Sequence, residues 1–234
     1  MITSPQNEKL KLIRRLGRRR SREREGLFVA EGEDLLAAAR DAGAEPVELL
    51  TAAGEGLGGT EVEPALLADV SKLGSGTRAI GVWREAWAEV PVAPCVYLHG
   101  VSDPGNVGTV IRTANALVGG SVVLGPDCAD PYGAHAVRAS MGAVFAQPLL
   151  RGRIDATAGP RAALVAHGGE ALEALAGAVT LCLGAEREGL PAEVLESCDV
   201  RVTIPVRESA ESLNVAAAAA IALHRIASAG DGDG

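Results

Sequence analysis

The apolar positions of this chain change period along its length. From residue 94 onward, short unbroken apolar runs alternate with stretches of helical spacing. The runs Cys95 to His99, Val122 to Leu124, Val144 to Pro148, Ala163 to His167, Val179 to Leu183 and Val200 to Pro205 are expected to be strands. Asn106 to Leu117, Ala134 to Ser140, Glu170 to Ala176 and Pro191 to Ser197 are expected to be helices. Such alternation predicts a mostly parallel sheet with helices on both faces. After a polar turn, a last helix opens at Ser212-Leu213-Asn214 and continues as an Ala/Ile/Leu run to Ala227. That run is apolar on too many faces for an ordinary surface helix, so it must be buried against a partner. Ser212 and Asn214 stand where the helix begins, where side-chain oxygens cap free backbone N–H groups.

The first third reads as a smaller α/β block. Leu27 to Ala30, Pro46 to Leu50, Thr60 to Glu63 and Ala79 to Trp83 are expected strands. Glu33 to Ala42, with Leu35, Leu36 and Ala39 inward, and Pro64 to Leu73 are expected helices. Ahead of them, residues 5–25 form a basic segment in which Pro5 suits a first helical position and Leu10, Ile13 and Leu16 share one face. Residues 84–93, with Pro91 and then Pro94 closing on the next block, are the expected linker. The organisation is therefore 1–83, a linker at 84–93, and 94–234, with a frayed tail from Asp231.

Composition narrows the function. Of 234 residues, 47% are apolar and only 3% aromatic, so the core is built from Ala, Val, Leu and Ile. A net charge of −8 argues against a uniformly basic nucleic-acid binder, but the positive charge is concentrated. Lys9, Lys11, Arg14, Arg15, Arg18, Arg19, Arg20, Arg22 and Arg24 crowd into one segment, which is either a solvated charged face or a footprint for phosphate. Cys95, Cys128, Cys182 and Cys198 are scattered, without metal-like spacing, and read as small buried thiols. No run resembles a signal or membrane segment, so the expectation is a cytoplasmic protein with no membrane and no metal. Gly54-Glu55-Gly56-Leu57-Gly58-Gly59 formally satisfies a dinucleotide-binding pattern. A strand-like run follows it rather than a helix, and it reads as a loop.

Three segments carry the chemistry: DPGNVGTVIRTANAL at 103–117, LGAEREGLP at 183–191, and IPVRESAESLNVAAAAAIAL from Ile204. Together, in this order, they resemble the three motifs of the SpoU (TrmH) family of ribose 2'-O-methyltransferases, of the SPOUT class. DPYGAHAVRASMGAVF at 130–145 extends the resemblance, which covers 94–228 and, more loosely, 1–82. It implies S-adenosylmethionine as cofactor, RNA as partner, and a homodimer with the active site near the dimer interface. It also implies a deep trefoil knot in the C-terminal domain, where general rules expect an unknotted sheet. The first block is similar to the small α/β substrate-binding domain that many SpoU proteins carry.

By that resemblance, backbone around Leu183, Gly184, Ile204 and Leu213 holds the cofactor, and Arg112 is the catalytic arginine. A guanidinium is effectively always protonated. It therefore acts either as the family's proposed base or, more comfortably, by gripping the adjacent phosphate and stabilising the developing alkoxide. The alternative for Arg112 is a structural ion pair. Asn106 caps its helix or positions the nucleotide. Glu186 orients Arg112, or its equivalent in a partner chain across a dimer interface, or pairs with a surface cation. Ser212 and Asn214 cap the last helix or hold the site by hydrogen bonds. Arg138 resembles a family arginine that contacts RNA or an interface, and Arg14, Arg15, Arg18, Arg19 and Arg20 are the expected RNA contacts of the arm. Of the four histidines, His167 is assigned to the pocket edge. The family's third motif usually has glycine where Glu208 stands. The expected activity is ribose methylation of RNA, ribosomal rather than transfer. The alternatives are a non-catalytic RNA-binding protein on the same scaffold and, from the glycine pattern alone, a nucleotide-dependent oxidoreductase.

Overall fold

The structure is a computed structural model and describes residues 1–72, 76–207, 209 and 211–230. The expected helix end at Leu73, the Glu208 position and the tail from Asp231 lie outside the described residues.

Two sheets organise the chain. The first has the order β1 (Leu27–Glu31), β4 (Ala79–Arg84), β2 (Glu48–Ala52), β3 (Thr60–Val62), with only β2 and β3 parallel. Helices α1 (Glu8–Leu16), α2 (Arg19–Glu25), α3 (Glu33–Asp41) and α4 (Pro64–Val70) accompany it. Leu10, Ile13 and Leu16 of α1 are buried with Leu50, Ile80 and Val82 on one face, as their spacing predicts. Pro5 is not the first helical residue: it lies in a turn, and Asn7 caps α1 by accepting from the Lys9 N–H at 2.9 Å. Where one helix or an arm was expected there are two helices, because Arg18 is extended between them (φ −106°, ψ 130°); α2 then stops at left-handed Gly26. The 54–59 segment keeps positive φ at all four of its glycines and opens no helix, in line with a loop.

The second sheet is parallel throughout. Its order is β10 (Val200–Val202), β8 (Arg161–Leu164), β9 (Thr180–Leu183), β5 (Cys95–Leu98), β6 (Val122–Leu124), β7 (Leu149–Arg151). Helices α5 (Pro104–Leu117), α6 (Ala134–Ala139), α7 (Ala192–Glu196) and α8 (Val215–Gly230) connect and cover it. Two expectations shift. Val144 and Phe145 form a 3-10 turn rather than a strand, and the strand follows at β7; Val144 is buried, and Phe145 packs on the aromatic rings between the sheets. The expected helix at Glu170 to Ala176 is only a 3-10 turn, Leu172–Leu175. Helix α5 packs on both α6 and α8. Its Gly108 allows this closeness: a Cβ there would lie 2.3 Å from the Ala136 carbonyl oxygen.

One core runs through both blocks. Phe28 stacks against Tyr132 at 4.7 Å and Phe145 at 5.6 Å, and Trp83 meets Phe145 edge-on at 5.0 Å. The 84–93 segment is anchored where it crosses: the Tyr132 hydroxyl donates to the Ala86 carbonyl at 2.7 Å, and the Ala88 N–H donates to Leu149. Among the described residues no helix is long and apolar enough to cross a membrane.

Candidate active site

Parallel α/β sheets bind ligands beyond the carboxyl ends of their strands. Here a cavity of about 710 Å³ opens beyond the ends of β8 and β9. Leu183 and Gly184 form one wall, and Val165 and Ala166, after β8, form another. Ile204 follows β10, and Ser212 and Leu213 precede α8. Four of the five residues expected around the cofactor thus line one cavity. His167 does not: the wall ends at Ala166, and the imidazole lies on the exposed loop beyond.

Gly184 is required by a close approach, not by a left-handed turn. A Cβ on it would sit 2.2 Å from the Gly189 carbonyl carbon and 2.4 Å from the Leu190 nitrogen. Ala185 and Gly189 exchange backbone hydrogen bonds at 3.1 and 2.9 Å, which folds Glu186, Arg187 and Glu188 into an exposed tip.

That tip is where the three motifs meet. The Asn106 amide donates to a Glu186 carboxylate oxygen at 2.7 Å, and Asn214 donates to the Asn106 carbonyl oxygen at 3.0 Å. The Asn214 carbonyl oxygen accepts from the N–H groups of Ala216 and Ala217, at the start of α8. A continuous chain of hydrogen bonds therefore runs from the electropositive end of α8 to a carboxylate. Asn214 is both a cap and a link, so its two readings are not exclusive.

Asn106 is not a cap. Asp103 caps α5, accepting from the Asn106 N–H at 2.8 Å, with Pro104 at the first helical position. The Asp-Pro pair carried that signal. The consequence is that the Asn106 side chain is free to bridge the motifs. Ser212 lines the cavity but makes no hydrogen bond among the described residues, and the cap assigned to it falls to Asn214 alone.

Arg112 is exposed on α5, with no ion pair or hydrogen bond among the described residues. The structural ion pair that was the alternative for it is not formed among the described residues. Six residues beyond Asn106, it lies about 9 Å further along the helix axis, and it is not among the residues lining the cavity of its own chain. Within the described residues Glu186 accepts from Asn106 and makes no contact with Arg112 of its own chain.

The basic segment is less free than its sequence suggests. Arg14 pairs with Asp69 at 2.8 Å, Arg15 with Glu25 at 3.3 Å and Arg19 with Glu23 at 2.9 Å. Arg18 and Arg20 have no such partner among the described residues. Arg138 pairs with Asp34 of α3 at 2.6 Å, bridging the two blocks. Exposed pairs of this kind contribute about 0–1 kcal/mol and yield readily to a competing anion.

Residues 93–224 match the family model of the SpoU rRNA Methylase family, and residues 7–90 match an MRM3-like substrate binding domain. An uncharacterised tRNA/rRNA methyltransferase of Mycobacterium tuberculosis is 40% identical over 54% of this chain and 49% of its own length. RlmP of Bacillus subtilis, a 23S rRNA guanosine 2'-O-methyltransferase, is 36% identical over 55% of this chain and 56% of its own. The chain spans about half the length of the curated relatives it matches. Solved structures align over nearly all of it. An AdoMet-bound rRNA methyltransferase from Sinorhizobium meliloti superposes with TM-score 0.83 at 29% identity, covering 96% of this chain and 95% of that one. AviRb from Streptomyces viridochromogenes, in complex with AdoMet, gives 0.81 at 25% identity, covering 94% and 97%. With its family model spanning residues 93–224, which build the cavity and the motif junction, this chain belongs to the SpoU rRNA methylase family.

Proposed function

We propose that the chain transfers a methyl group from S-adenosylmethionine to the 2'-hydroxyl of a ribose in RNA, ribosomal rather than transfer RNA. The observation that carries the reading is the junction of Glu186, Asn106 and Asn214 at the tip beside the cavity. The 23S rRNA enzymes among the relatives favour a ribosomal substrate, which implies action in the cytoplasm.

The cavity suits the cofactor. Its volume falls within the about 300–1,000 Å³ of small-molecule sites. Leu164, Ile204 and Leu213 offer apolar walls for an adenine ring, and Glu186, Glu188 and Glu211 place carboxylates near a cationic group. When bound, the cofactor supplies an electrophilic methyl on a sulfonium. The work of the protein is alignment, which in well-oriented systems contributes about 7–11 kcal/mol. Gly184 lets the 185–190 loop close against β9, so the wall is set by backbone. Asn106 and Asn214 hold the tip in register with α8. The Arg112 guanidinium grips the phosphate beside the target ribose and stabilises the developing alkoxide, and the proton of the 2'-hydroxyl leaves to solvent at the exposed tip as the methyl passes from sulfur to oxygen.

Arg112 does this across a homodimer in the proposed arrangement. The α5 face that carries it has no partner among the described residues, and α8, packed beside it, exposes Ala217 and Ile221, the latter 40% exposed. Pairing these faces covers the apolar residues and brings Arg112 of one subunit beside the cavity of the other. Sedimentation at micromolar concentration is expected to give twice the chain mass, and a fully active monomer would refute the pairing. Arg112→Ala is expected to abolish methyl transfer to ribosomal RNA and leave cofactor affinity unchanged by calorimetry. Retention of more than about a tenth of the rate, about 1.4 kcal/mol in the barrier, removes Arg112 from the mechanism. The knot implied by the resemblance belongs to the same proposal.

A further inference from the structure

A second cavity, of about 500 Å³, lies on the same carboxyl edge of the parallel sheet, over the ends of β6 and β7. Its walls come from both blocks. Arg19 reaches in from α2, Trp87 from the 84–93 segment, and Arg151 and Arg153 from the end of β7. In a chain of net charge −8, three guanidinium groups converge here with their side chains about half exposed or more. The Arg151 guanidinium lies over the Trp87 ring at 4.2 Å, forming a flat cationic and aromatic platform.

Among the described residues, four carboxylates stand around these three guanidinium groups. Glu23 holds Arg19 at 2.9 Å and Arg151 at 3.8 Å, Glu193 holds Arg153 at 3.3 Å, and Asp127 lines the wall. The Glu85 carboxyl lies 4.0 Å from Arg151 but is almost fully buried behind it. Exposed pairs of this kind are weak, whereas a phosphate takes a guanidinium through two charge-assisted hydrogen bonds. The sheet order places β9, β5 and β6 in succession and puts β8 and β7 four strands apart. At about 4.8 Å per strand, the two cavities are about 10–19 Å apart along one edge. A few nucleotides of an extended strand span that distance.

We propose that this inter-domain cleft is a subsite for single-stranded RNA, in which Arg19, Arg151 and Arg153 bind phosphates and the Trp87–Arg151 platform stacks a base. It rests on the RNA reading above and adds a path: the strand leaves the methylated ribose, follows the sheet edge, and reaches the first block through α2. Arg151 and Arg153 belong to none of the three motifs, and neither was an expected RNA contact.

The test uses the full chain and a fluorescein-labelled oligouridine, with anisotropy measured over a range of salt. Arg151→Ser with Arg153→Ser is expected to weaken binding about tenfold or more and to lower the salt slope by about 1.4, two contacts at about 0.7 each. Cofactor affinity is expected to stay at the wild-type value and the fold to remain intact by circular dichroism, with a small fall in melting temperature because Arg151 covers Trp87 and faces the buried Glu85. Arg151→Lys with Arg153→Lys keeps the charges, so the slope is expected to stay near wild type, which separates lost phosphate contacts from damage to the fold. Wild-type affinity and slope in the serine variant overturn the subsite. If the wild-type chain methylates ribosomal RNA in that case, the parent reading stands without it. If the wild-type chain binds neither oligouridine nor ribosomal RNA, both fall.

Discussion

Glu85 carries a carboxyl that is only 4% exposed, at the junction between the two blocks. One oxygen accepts from the Trp87 indole at 2.8 Å, and the other has no hydrogen-bond partner among the described residues. Burial pushes its pKa above the ordinary carboxylate value, and the nearby Asp130 adds to the rise. The Trp87 bond and the charges of Arg151 and Arg22 only partly offset it. The folded state therefore holds this proton more tightly than the unfolded chain. The stability it contributes is fully present below the unfolded carboxylate pKa and is lost as pH rises through the folded value. Glu85→Gln is expected to raise the melting temperature at neutral pH and to flatten the fall in stability between mildly acidic and neutral pH. Parallel melting curves for variant and wild type across that range would show that the carboxyl titrates normally.

At the scale of the element, α8 begins with a residue that does two jobs. Asn214 caps the helix through its oxygen and holds Asn106 through its nitrogen. The two are separable. Asn214→Ala loses both and is expected to cost about 1 kcal/mol of stability together with most of the methyl transfer. Asn214→Asp keeps an oxygen at the helix start, where a negative charge is favourable, but has no N–H for Asn106. It is expected to melt like wild type and to transfer methyl groups slowly. If both variants keep full activity, the bridge to Asn106 has no part in the reaction. The end of β9 is tested by Gly184→Ala. Its methyl would meet the Gly189 backbone, so the 185–190 loop must move out of place. Cofactor affinity measured by calorimetry is expected to drop about tenfold or more, about 1.4 kcal/mol, with the sheet intact.

For the whole molecule, the question is whether the two blocks act as one. Arg22 and Asp130 have side chains only 8% and 6% exposed and pair at 2.6 and 3.0 Å across the junction, beside the rings of Phe28 and Tyr132. Removing one partner of a buried pair leaves the other charged and unpaired, at a cost of about 3–5 kcal/mol. Asp130→Ala is therefore expected to destabilise the chain by that amount, while wild type unfolds in a single calorimetric transition. Two separate transitions in the wild type would show that the junction does not couple the blocks. A rigid junction matters because Arg19 of the first block and Arg151 of the second flank the same cleft.

Sequence alone determined what burial writes as a period. The apolar runs of β5, β6 and β9 and the inward face Leu10, Ile13 and Leu16 were legible, because each element must hide its apolar face whatever its neighbours are; of the Ala-rich α8, Ala216, Ala219, Ala222 and Leu223 are buried while Ala217 and Ile221 stay exposed. The position of β7 was not legible. Val144 and Phe145 are apolar enough for a strand, but the rings between the blocks take Phe145, and no local pattern announces that. The acid facing Arg14 was equally hidden, since Asp69 arrives on α4 and is adjacent to α1 only after folding, whereas Glu23 stands four residues after Arg19 in the same segment. For the site, the motifs marked which residues belong together, and the tertiary structure decided what each one does. Asn106 lies 80 residues from Glu186 and 108 from Asn214, so only the packing of α5 against the sheet edge and α8 makes it a bridge. Arg112 has no such contact among the described residues. Its exposure on the unpartnered face of α5 is a tertiary fact, because a periodic pattern tells which way a side chain points but not what stands opposite it.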